Sequence, residues 1–239
     1  MVWKTNAAVG ADRGPSQFAM QIRPNTDLNL WKQQLGSVPD SIWKLVDTEM
    51  LVLADNGLVE ISTQIGQLKK LHTLDLGHNR LSQVPDSLGD LDNLTNFLYL
   101  HDNRLTTLPD ALGRLKKLRY LNISNNAFSE LPECIPMLEN LVELRTTDNH
   151  LTAIPDSIGQ LTRLRELHLR NNQLTSLPES IGSLAGLRQL DLRGNPLTHL
   201  PACIAKLQKL EKLDLRWVST LEVSPWIYTL EARGCLVYF

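Results

Sequence analysis

The chain contains LHTLDLGHNRLSQVPDSLGDLDN at residues 71–93, and near-copies follow as LRELHLRNNQLTSLPESIGSLAG at 164–186 and LRQLDLRGNPLTHLPACIAKLQK at 187–209. Aligned, the three stretches give a 23-residue unit, L-x-x-L-x-L-x-x-N-x-L-x-x-(L/I/V)-P-x-x-I-x-x-L-x-x. Self-similarity at a fixed period is typical of architectures in which each unit stacks on the next. The sequence therefore predicts a solenoid.

The leucines of L-x-L alternate with outward residues, which predicts a short strand with one face inward, covered by the later apolar residues of the unit. A single unit cannot bury its own inward apolar side chains, so the neighbouring units must cover them. Inward pairs run from Leu51/Leu53 to Leu213/Leu215, and fainter copies at Leu28/Leu30 and Leu236/Tyr238 bring the predicted strands to ten. We expect an N-terminal extension or cap over 1–27, about eight full repeats over 28–217 and a capping unit over 218–239.

An asparagine recurs where the chain leaves each predicted strand. The set is Asn56, Asn79, Asn103, Asn126, Asn149, Asn172 and Asn195, with Gln33 and Val218 in its place at the two ends. An amide at this point can satisfy turn backbone groups that would otherwise be buried and unpaired. We interpret the column as a structural ladder.

The return segments P-D-S-I-G, P-D-A-L-G and P-E-S-I-G predict a brief helical turn on the convex side, with Pro at its first position. The acid after each Pro then faces the positive end of that turn. These acids are Asp86, Asp110, Glu133, Asp156 and Glu179. We favour helix capping over a cation-binding edge, because acids occur widely at helix starts.

Composition and charge narrow the possible partners. With 24 Lys+Arg, 26 Asp+Glu and a net charge of −2, the chain has no global positive field for nucleic acid or anionic lipid. Cys134 and Cys203 hold one position in repeats three apart, roughly 14 Å at strand spacing, so we expect free thiols. Residues 1–22 lack the apolar run of a signal peptide, and no stretch is long enough to span a membrane. These features favour the cytoplasm, with secretion as an effector as the alternative.

The phrases VPDSLGDLDNL, IPDSIGQLTRL and LPESIGSLAGL, each followed by a strand and LxxNxL, resemble intracellular leucine-rich-repeat proteins of the Ras-suppressor-like group and bacterial proteins with 23-residue repeats. The resemblance covers about residues 28–239. It implies an α/β solenoid, a leucine-rich-repeat horseshoe with a concave parallel β-sheet and short helical or 3-10 convex segments. It also implies an interaction module and a C-terminal unit in which Trp217, Trp226 and Tyr238 cover the last strand.

Outward strand residues form the concave face, where functional positions are expected. In the N-terminal half this face presents an apolar and aromatic set, made of Trp31, Met50, Val52, Phe97, Tyr99, His101 and Tyr120. Exposed aromatic clusters are common anchors of protein interfaces, although cross-strand packing that only stabilises the sheet is the alternative. The segment from Leu94 to Leu98 carries one residue more than other repeats, which predicts a bulge near Asn96 and Phe97. We therefore expect Phe97 to be the leading contact residue.

The C-terminal half of the concave face is predicted to be charged. Arg170, Arg193 and Arg216 recur at 23-residue spacing, and Arg145 lies in the neighbouring column. Like charges about 5 Å apart repel, so this column requires anions nearby. They come either from the flanking acids, which we favour, or from a partner's carboxylates or phosphates. The flanking acids are Glu143, Glu166, Asp191 and Asp214.

The six histidines are spread over different repeats, and only His78, His101 and Asp102 approach a metal-ligand set. Without a visible supporting partner this set is weak evidence for a metal. We predict no catalytic residues, no metal and no cofactor. The expected function is a monomeric protein-interaction scaffold that binds another protein, with no nucleic acid, membrane or small-molecule partner. The alternatives are the substrate-recognition module of a ubiquitin ligase, kinase or secreted bacterial effector and, least favoured, an enzyme in its own right, which would require a closed pocket.

Overall fold

The computed structural model describes residues 26–239, which form one open, curved, parallel sheet of ten strands in chain order. Each strand has three residues: β1 Asp27–Asn29, β2 Met50–Val52, β3 Thr73–Asp75, β4 Phe97–Tyr99, β5 Tyr120–Asn122, β6 Glu143–Arg145, β7 Glu166–His168, β8 Gln189–Asp191, β9 Lys212–Asp214 and β10 Leu236–Tyr238. The solenoid and its ten strands are confirmed. The N-terminal extension is expected over 1–27 and the lack of a signal peptide over 1–22, and residues 1–25 lie outside the described residues.

Short 3-10 helices return the chain on the convex side, as predicted. They span Ile42–Lys44, Thr63–Gln67, Asp86–Asp90, Asp110–Arg114, Asp156–Gln160, Glu179–Ser183 and Ala202–Lys206. The predicted position of the prolines is wrong by one residue, because Pro85 and its equivalents are extended N-caps and the helix begins at the acid. The repeat at Glu133 forms turns only. Its Pro136 has no N–H to donate to the carbonyl that a helix would use.

The core is a continuous column of aliphatic side chains between the sheet and the 3-10 helices. The central leucines of β2 to β9 are fully buried, and Phe128 and Trp43 are the largest side chains inside. Thr146, which occupies an inward leucine position, is also fully buried. Its hydroxyl donates to the carbonyl of His168 on the next rung at 3.2 Å, so the polar group is satisfied.

The asparagine ladder is confirmed. Asn79 Oδ1 accepts from the amides of Asn56 and Leu58, and its Nδ2 donates to the carbonyls of Leu53, Leu76 and Gly77 at 3.0 to 3.1 Å. Equivalent bonds to two rungs recur down the column to Asn195, whose Nδ2 donates to Leu169 and Leu192. Each amide therefore ties its own turn to the preceding one.

The C-terminal end differs from the prediction in two ways. In β10, Val237 pairs with Leu213, so the expected inward pair Leu236/Tyr238 is wrong and both of these residues are exposed. The strand follows helix α1 (Ile227–Ala232) through Gly234, whose φ of +88° makes a turn that sets a new phase.

The cover over the last repeat comes from α1 and not chiefly from bulky rings. Ile227 and Leu230 are fully buried, whereas Trp217 is 69% exposed and Tyr238 is 41% exposed. Of the three predicted covering rings, only Trp226 packs partly against the core. Trp217 does not cover the last repeat, because its backbone has a positive φ and its ring lies on the concave side of the turn.

The three cysteines are free and buried, as expected. Burial raises the pKa of the Cys134 thiol to about 12, which keeps it protonated at neutral pH. Among residues 26–239 we find no helix with the length and apolar character needed to cross a bilayer.

Candidate protein-interaction surface

The parallel register stacks the outward side chains into columns. Thr73, Phe97 and Tyr120 are successive members of one column, and Asp75, Tyr99 and Asn122 are successive members of the next. Met50 and Val52 of β2 and Arg145 of β6 also point outward. Trp31, His101, Arg170, Arg193 and Arg216 lie two residues beyond the ends of their strands. All predicted contact residues thus lie on the concave side.

Phe97, Tyr99 and Tyr120 form what we call the aromatic cluster. The ring centroids of Phe97 lie 5.8 Å from Tyr99 and 5.3 Å from Tyr120, and those of Tyr99 and Tyr120 are 5.1 Å apart. His101 extends the cluster with an edge contact to Tyr99 at 5.8 Å. Phe97 is 41% exposed, and the two tyrosines are partly buried. Offset and tilted packing of this kind holds the rings in a defined arrangement.

The remaining apolar residues of the N-terminal half do not join this cluster. Met50 and Val52 lie on β2, and the polar Thr73 and Asp75 of β3 separate them from Phe97 and Tyr99. Trp31 is 46% exposed and contacts Lys32 at 5.8 Å from the ring centroid. The apolar set expected from the sequence is therefore not one continuous patch.

The extra residue of the fourth repeat is accommodated before β4. The Asn96 amide donates to the His72 carbonyl on one side, while the Thr95 carbonyl accepts from the Arg119 amide on the other. The irregularity is therefore confined to Thr95 and Asn96. Phe97 pairs in the regular register with Thr73 and Tyr120, so the predicted irregularity near Asn96 does not extend to Phe97.

His78, His101 and Asp102 lie together at the edge of the aromatic cluster. His78 Nδ1 is 3.5 Å and His101 Nε2 is 3.8 Å from Asp102 Oδ2, and the three ligand atoms lie within 4.8 Å of one another. Burial lowers the pKa of His101, which favours the neutral ring at pH 7. Both distances to Asp102 Oδ2 are too long for good hydrogen bonds and correspond to weak electrostatic contacts.

Gly77 is a residue of this surface that sequence reasoning missed. A Cβ at Gly77 would lie 2.4 Å from His101 Cε1, so any larger residue there would require the His101 ring to move. The other rungs of β2 to β9 all carry a side chain there, which is Ala54, Ser124 or Thr147 in three of them and a histidine or an arginine in the rest. The departure from these larger residues was a signal that could have identified it.

The concave arginines are paired with carboxylates. Arg145 Nε is 2.5 Å from Glu143, Arg170 Nη2 is 3.2 Å from Asp148, and Arg193 Nη2 is 2.5 Å from Asp191. Arg216 pairs with Asp214 at 2.8 Å. Of the four predicted flanking acids, Glu166 instead lies beside His168 at 3.3 Å. Asp148 was missed as a partner.

Asp191 and Asp214 are held as buried carboxylates. Burial by itself raises the pKa of Asp191, but the hydrogen bonds from Arg193, together with His168 whose Nδ1 lies 4.0 Å away, outweigh it and hold that pKa well below its usual value. The pKa of Asp214, whose side chain is 1% exposed, is lowered in the same way by Arg216 and Arg193 against the effect of burial. Trp217 covers this ionic group, with its ring 5.9 Å from the Arg193 guanidinium and 5.8 Å from that of Arg216.

Three family models match the chain, one described as a leucine-rich repeat region over 156–232, one as a leucine rich repeat over 47–105 and one as two leucine rich repeat copies over 96–133. The chain contains leucine-rich repeats over 47–133 and 156–232. Leucine-rich-repeat proteins are generally non-enzymatic binding scaffolds for other proteins. No curated protein sequence matches this chain significantly.

Solved structures of similar fold come from several kinds of leucine-rich-repeat protein. A leucine-rich-repeat protein of Leptospira interrogans is 28% identical with a TM-score of 0.69, over 94% of this chain and 69% of its own. The leucine-rich repeat domain of the type III effector XopL is 26% identical with a TM-score of 0.76, over 93% of this chain and 78% of its own.

A third structure is the ectodomain of the Arabidopsis thaliana membrane receptor kinase GASSHO1/SCHENGEN3 in complex with CASPARIAN STRIP INTEGRITY FACTOR 2. It is 32% identical with a TM-score of 0.67, over 81% of this chain. The chain spans only 24% of that ectodomain's length, so the likeness concerns a run of repeats within it.

Proposed function

We propose that the protein is a non-enzymatic scaffold that binds a partner protein on its concave sheet, with the aromatic cluster as the anchor. The observation that carries this proposal is the contact of Phe97, Tyr99 and Tyr120 on two adjacent strands, with Phe97 left 41% exposed. Rigid aromatic rings bury a large area at low entropic cost, which is why they dominate interface energetics.

Packing within the sheet accounts for only part of this arrangement. Contacts between the rings stabilise the sheet by about 0.5–1.5 kcal/mol per pair. They leave the outer side of Phe97 in water, although an apolar side chain gains more from full burial. A partner that covers Phe97 would remove this exposed surface.

The paired arginines form the polar edge of the proposed surface. Arg145 joins the two regions, because its guanidinium lies 6.0 Å from the Tyr120 ring and pairs with Glu143. Ion pairs that face solvent contribute little to stability, so a partner's carboxylate can exchange with them. Arg193 is the least exchangeable, since it contacts both Asp191 and Asp214.

The double substitution Phe97→Ala with Tyr99→Ala tests the anchor. We expect it to abolish capture of the wild-type protein's binding partners in a pull-down followed by mass spectrometry. The variant should stay folded, with thermal unfolding lowered by about 6–12 °C, because it loses three ring contacts worth about 1 kcal/mol each.

Val46→Ala with Val59→Ala is the matched control, since both valines are exposed and lie outside the strands. The control should capture the same partners as the wild-type protein. If the aromatic variant also captures them at wild-type level, the aromatic cluster is not the anchor.

A second candidate function is substrate recognition for an enzyme, such as a ubiquitin ligase or kinase, or a secreted effector. The similarity to the repeat domain of the type III effector XopL over 93% of the chain favours it. Under this proposal the repeats are of the Ras-suppressor-like or bacterial 23-residue type, and the protein acts in the cytoplasm of its own cell or of a host. The complete reading frame discriminates the two candidates, because a catalytic domain in it supports only the second.

A further inference from the structure

A second surface lies on the flank where the chain enters the strands, away from the concave face. Six basic side chains line a groove there, each one or three residues before a strand: Lys117, Arg119, Arg163, Arg165, Arg188 and Lys209. We call it the basic groove. Its volume is roughly 710 Å³, and Asn140, Val142 and Gly186 form part of its lining. It spans the rungs of β5 to β9, about 19 Å at strand spacing.

The basic groove carries positive charge that the protein itself leaves largely unneutralised. Among residues 26–239, Arg188 is the only one of the six with a carboxylate partner, Glu211 at 2.9 Å. Lys117 and Arg163 contact the amide oxygens of Asn93 and Asn140. Arg119, Arg165 and Lys209 form no side-chain hydrogen bond or ion pair within the part of the chain that the structure describes.

The arginines of the concave face, unlike most cations of the basic groove, are already paired with carboxylates. There, Arg145, Arg170, Arg193 and Arg216 each have a carboxylate within 3.2 Å. Stacked rungs place cations of the basic groove about 5–10 Å apart, where they repel one another. An anionic ligand would relieve this repulsion at the groove, whereas on the concave face it must first displace an existing partner.

We propose that the basic groove binds an extended acidic segment of a partner protein. Four of the six groups are arginines, whose planar forks pair bidentately with carboxylates. About six residues of extended chain cover the 19 Å length, and alternate residues of such a segment face the same side. The proposal stands independently of the aromatic cluster, because it rests on different residues on a different surface.

Other polyanions fit the groove less well. No aromatic side chain lines it, so the stacking platform of single-stranded nucleic-acid sites is missing there. The net charge of −2 gives no general attraction to phosphate backbones. Its lining contains no large apolar side chain other than Val142, whereas stable association with lipid adds apolar insertion to charge.

The test is fluorescence anisotropy with a labelled octaglutamate peptide and the full chain. The variant Arg119→Glu with Arg165→Glu should weaken binding by roughly tenfold or more, because two attractive contacts become repulsive. Wild-type binding should also weaken as salt is raised from 50 to about 200 mM, since exposed charges are screened.

Arg80→Glu with Arg104→Glu is the matched control. Both arginines are exposed, lie just beyond the asparagine ladder, and change the net charge by the same four units. Full retention of binding in this control, with loss in the groove variant, supports the proposal. Equal loss in both variants, or no saturable binding by the wild-type protein, overturns it.

Two further probes decide the class of ligand. Labelled octauridine RNA and vesicles containing phosphatidylserine should bind more weakly than the peptide, and tighter binding of either overturns the choice of an acidic polypeptide. Phe97→Ala with Tyr99→Ala should leave peptide binding unchanged. Loss of binding in that variant would show that the peptide occupies the concave face, which also overturns the proposal.

Discussion

Asn126 shows how one buried polar side chain holds two rungs together. Its Oδ1 accepts from the Leu105 amide at 2.9 Å, and its Nδ2 donates to the carbonyl of Leu100 at 3.0 Å and to those of Ile123 and Ser124 at 3.1 Å. Among the described residues the buried Leu105 amide has no other partner, whereas the carbonyls of Leu100, Ile123 and Ser124 also accept from Asn103, Asn149 and the Asp102 amide. The cost of removing the amide is therefore larger than the net value of a single hydrogen bond.

We expect Asn126→Ala to lower the free energy of unfolding by about 2–3 kcal/mol, because it leaves the buried Leu105 amide unpaired and removes three further hydrogen bonds to carbonyls. Urea denaturation followed by circular dichroism measures the loss. Asn93→Ala is the control, since its bonds to the Lys69 carbonyl and from Lys117 are both exposed and should together be worth less than about 0.5 kcal/mol. Equal losses in the two variants would contradict the role assigned to the ladder.

The charge of Asp191 predicts a pH dependence of stability. Because the folded-state pKa of Asp191 lies below the unfolded value of about 3.9, its contribution is present above that value and is lost as the pH falls toward the folded pKa. Asp191→Asn should therefore lower the free energy of unfolding by about 2 kcal/mol at pH 5, where the wild-type carboxylate accepts charged hydrogen bonds from Arg193.

In urea titrations, the difference in the free energy of unfolding between Asp191→Asn and the wild-type protein should shrink steadily as the pH is lowered from 5 to 2. Asp86→Asn provides the comparison, because Asp86 is exposed and forms no ion pair within residues 26–239. A wild-type advantage that stays constant over this range would refute the assigned role of the Asp191 charge.

At the scale of the element, the convex 3-10 helices pack so closely that glycine is required between them. A Cβ on Gly89 would lie 2.1 Å from the Ala111 backbone oxygen, whereas one on Gly159 would lie 2.9 Å from that of Ser180. A backbone atom cannot swing aside as a flexible side chain can. The helices must therefore separate to admit the methyl group.

Gly89→Ala should lower the free energy of unfolding by about 2 kcal/mol and Gly159→Ala by less, in the order of the two contact distances. Thermal unfolding of both variants under one set of conditions checks the order. A Gly159→Ala variant that is the less stable of the two would show that contact distance does not control the loss.

The strands of this fold could be predicted from the sequence because their phase repeats every 23 residues, and each inward leucine confirms its neighbours. The phase of β10 could not, since the turn at Gly234 precedes it and no repeat motif marks its position. The concave columns were also predictable. The pairing of side chains within these columns could not be predicted. Asp148, for example, lies 22 residues before Arg170 in the sequence, and only the side-chain geometry brings the two together.

The candidate sites show the same division. Phe97, Tyr99 and Tyr120 could be recognised because they occupy outward strand positions. The basic groove could not be recognised in the same way, because its six cations are distributed over residues 117–209 and lie outside the strands. The separation of Trp31 from the aromatic cluster follows from the small and polar residues of the rungs between them.

At the scale of the whole molecule, stability depends on contacts between neighbouring rungs and on the covers at the two ends. Helix α1 covers the last repeat with the fully buried Ile227 and Leu230. The β10 strand beyond it is held by the Leu215 amide, which donates to the Tyr238 carbonyl at 2.7 Å. Damage to this cover should therefore spread from the C-terminal end.

We expect Leu230→Ala, which removes about 2–5 kcal/mol of local packing, to speed amide hydrogen exchange in β9 and β10 more than in β2 and β3. Mass spectrometry of exchanged peptides locates the change. Leu51→Ala at the other end should give the mirror-image pattern. Uniform acceleration along the chain in both variants would show a single cooperative unit in place of neighbour-by-neighbour stability.

The asparagine ladder also bears on how such a chain changes length. Since each amide needs only its own turn and the one before it, gene duplication or loss of a complete unit preserves every bond, while a partial unit breaks them. The array can thus grow or shrink in whole steps of about 4.8 Å. The three rings, confined to two adjacent steps, would be inherited intact through such changes, whereas the basic groove would lengthen or shorten with them.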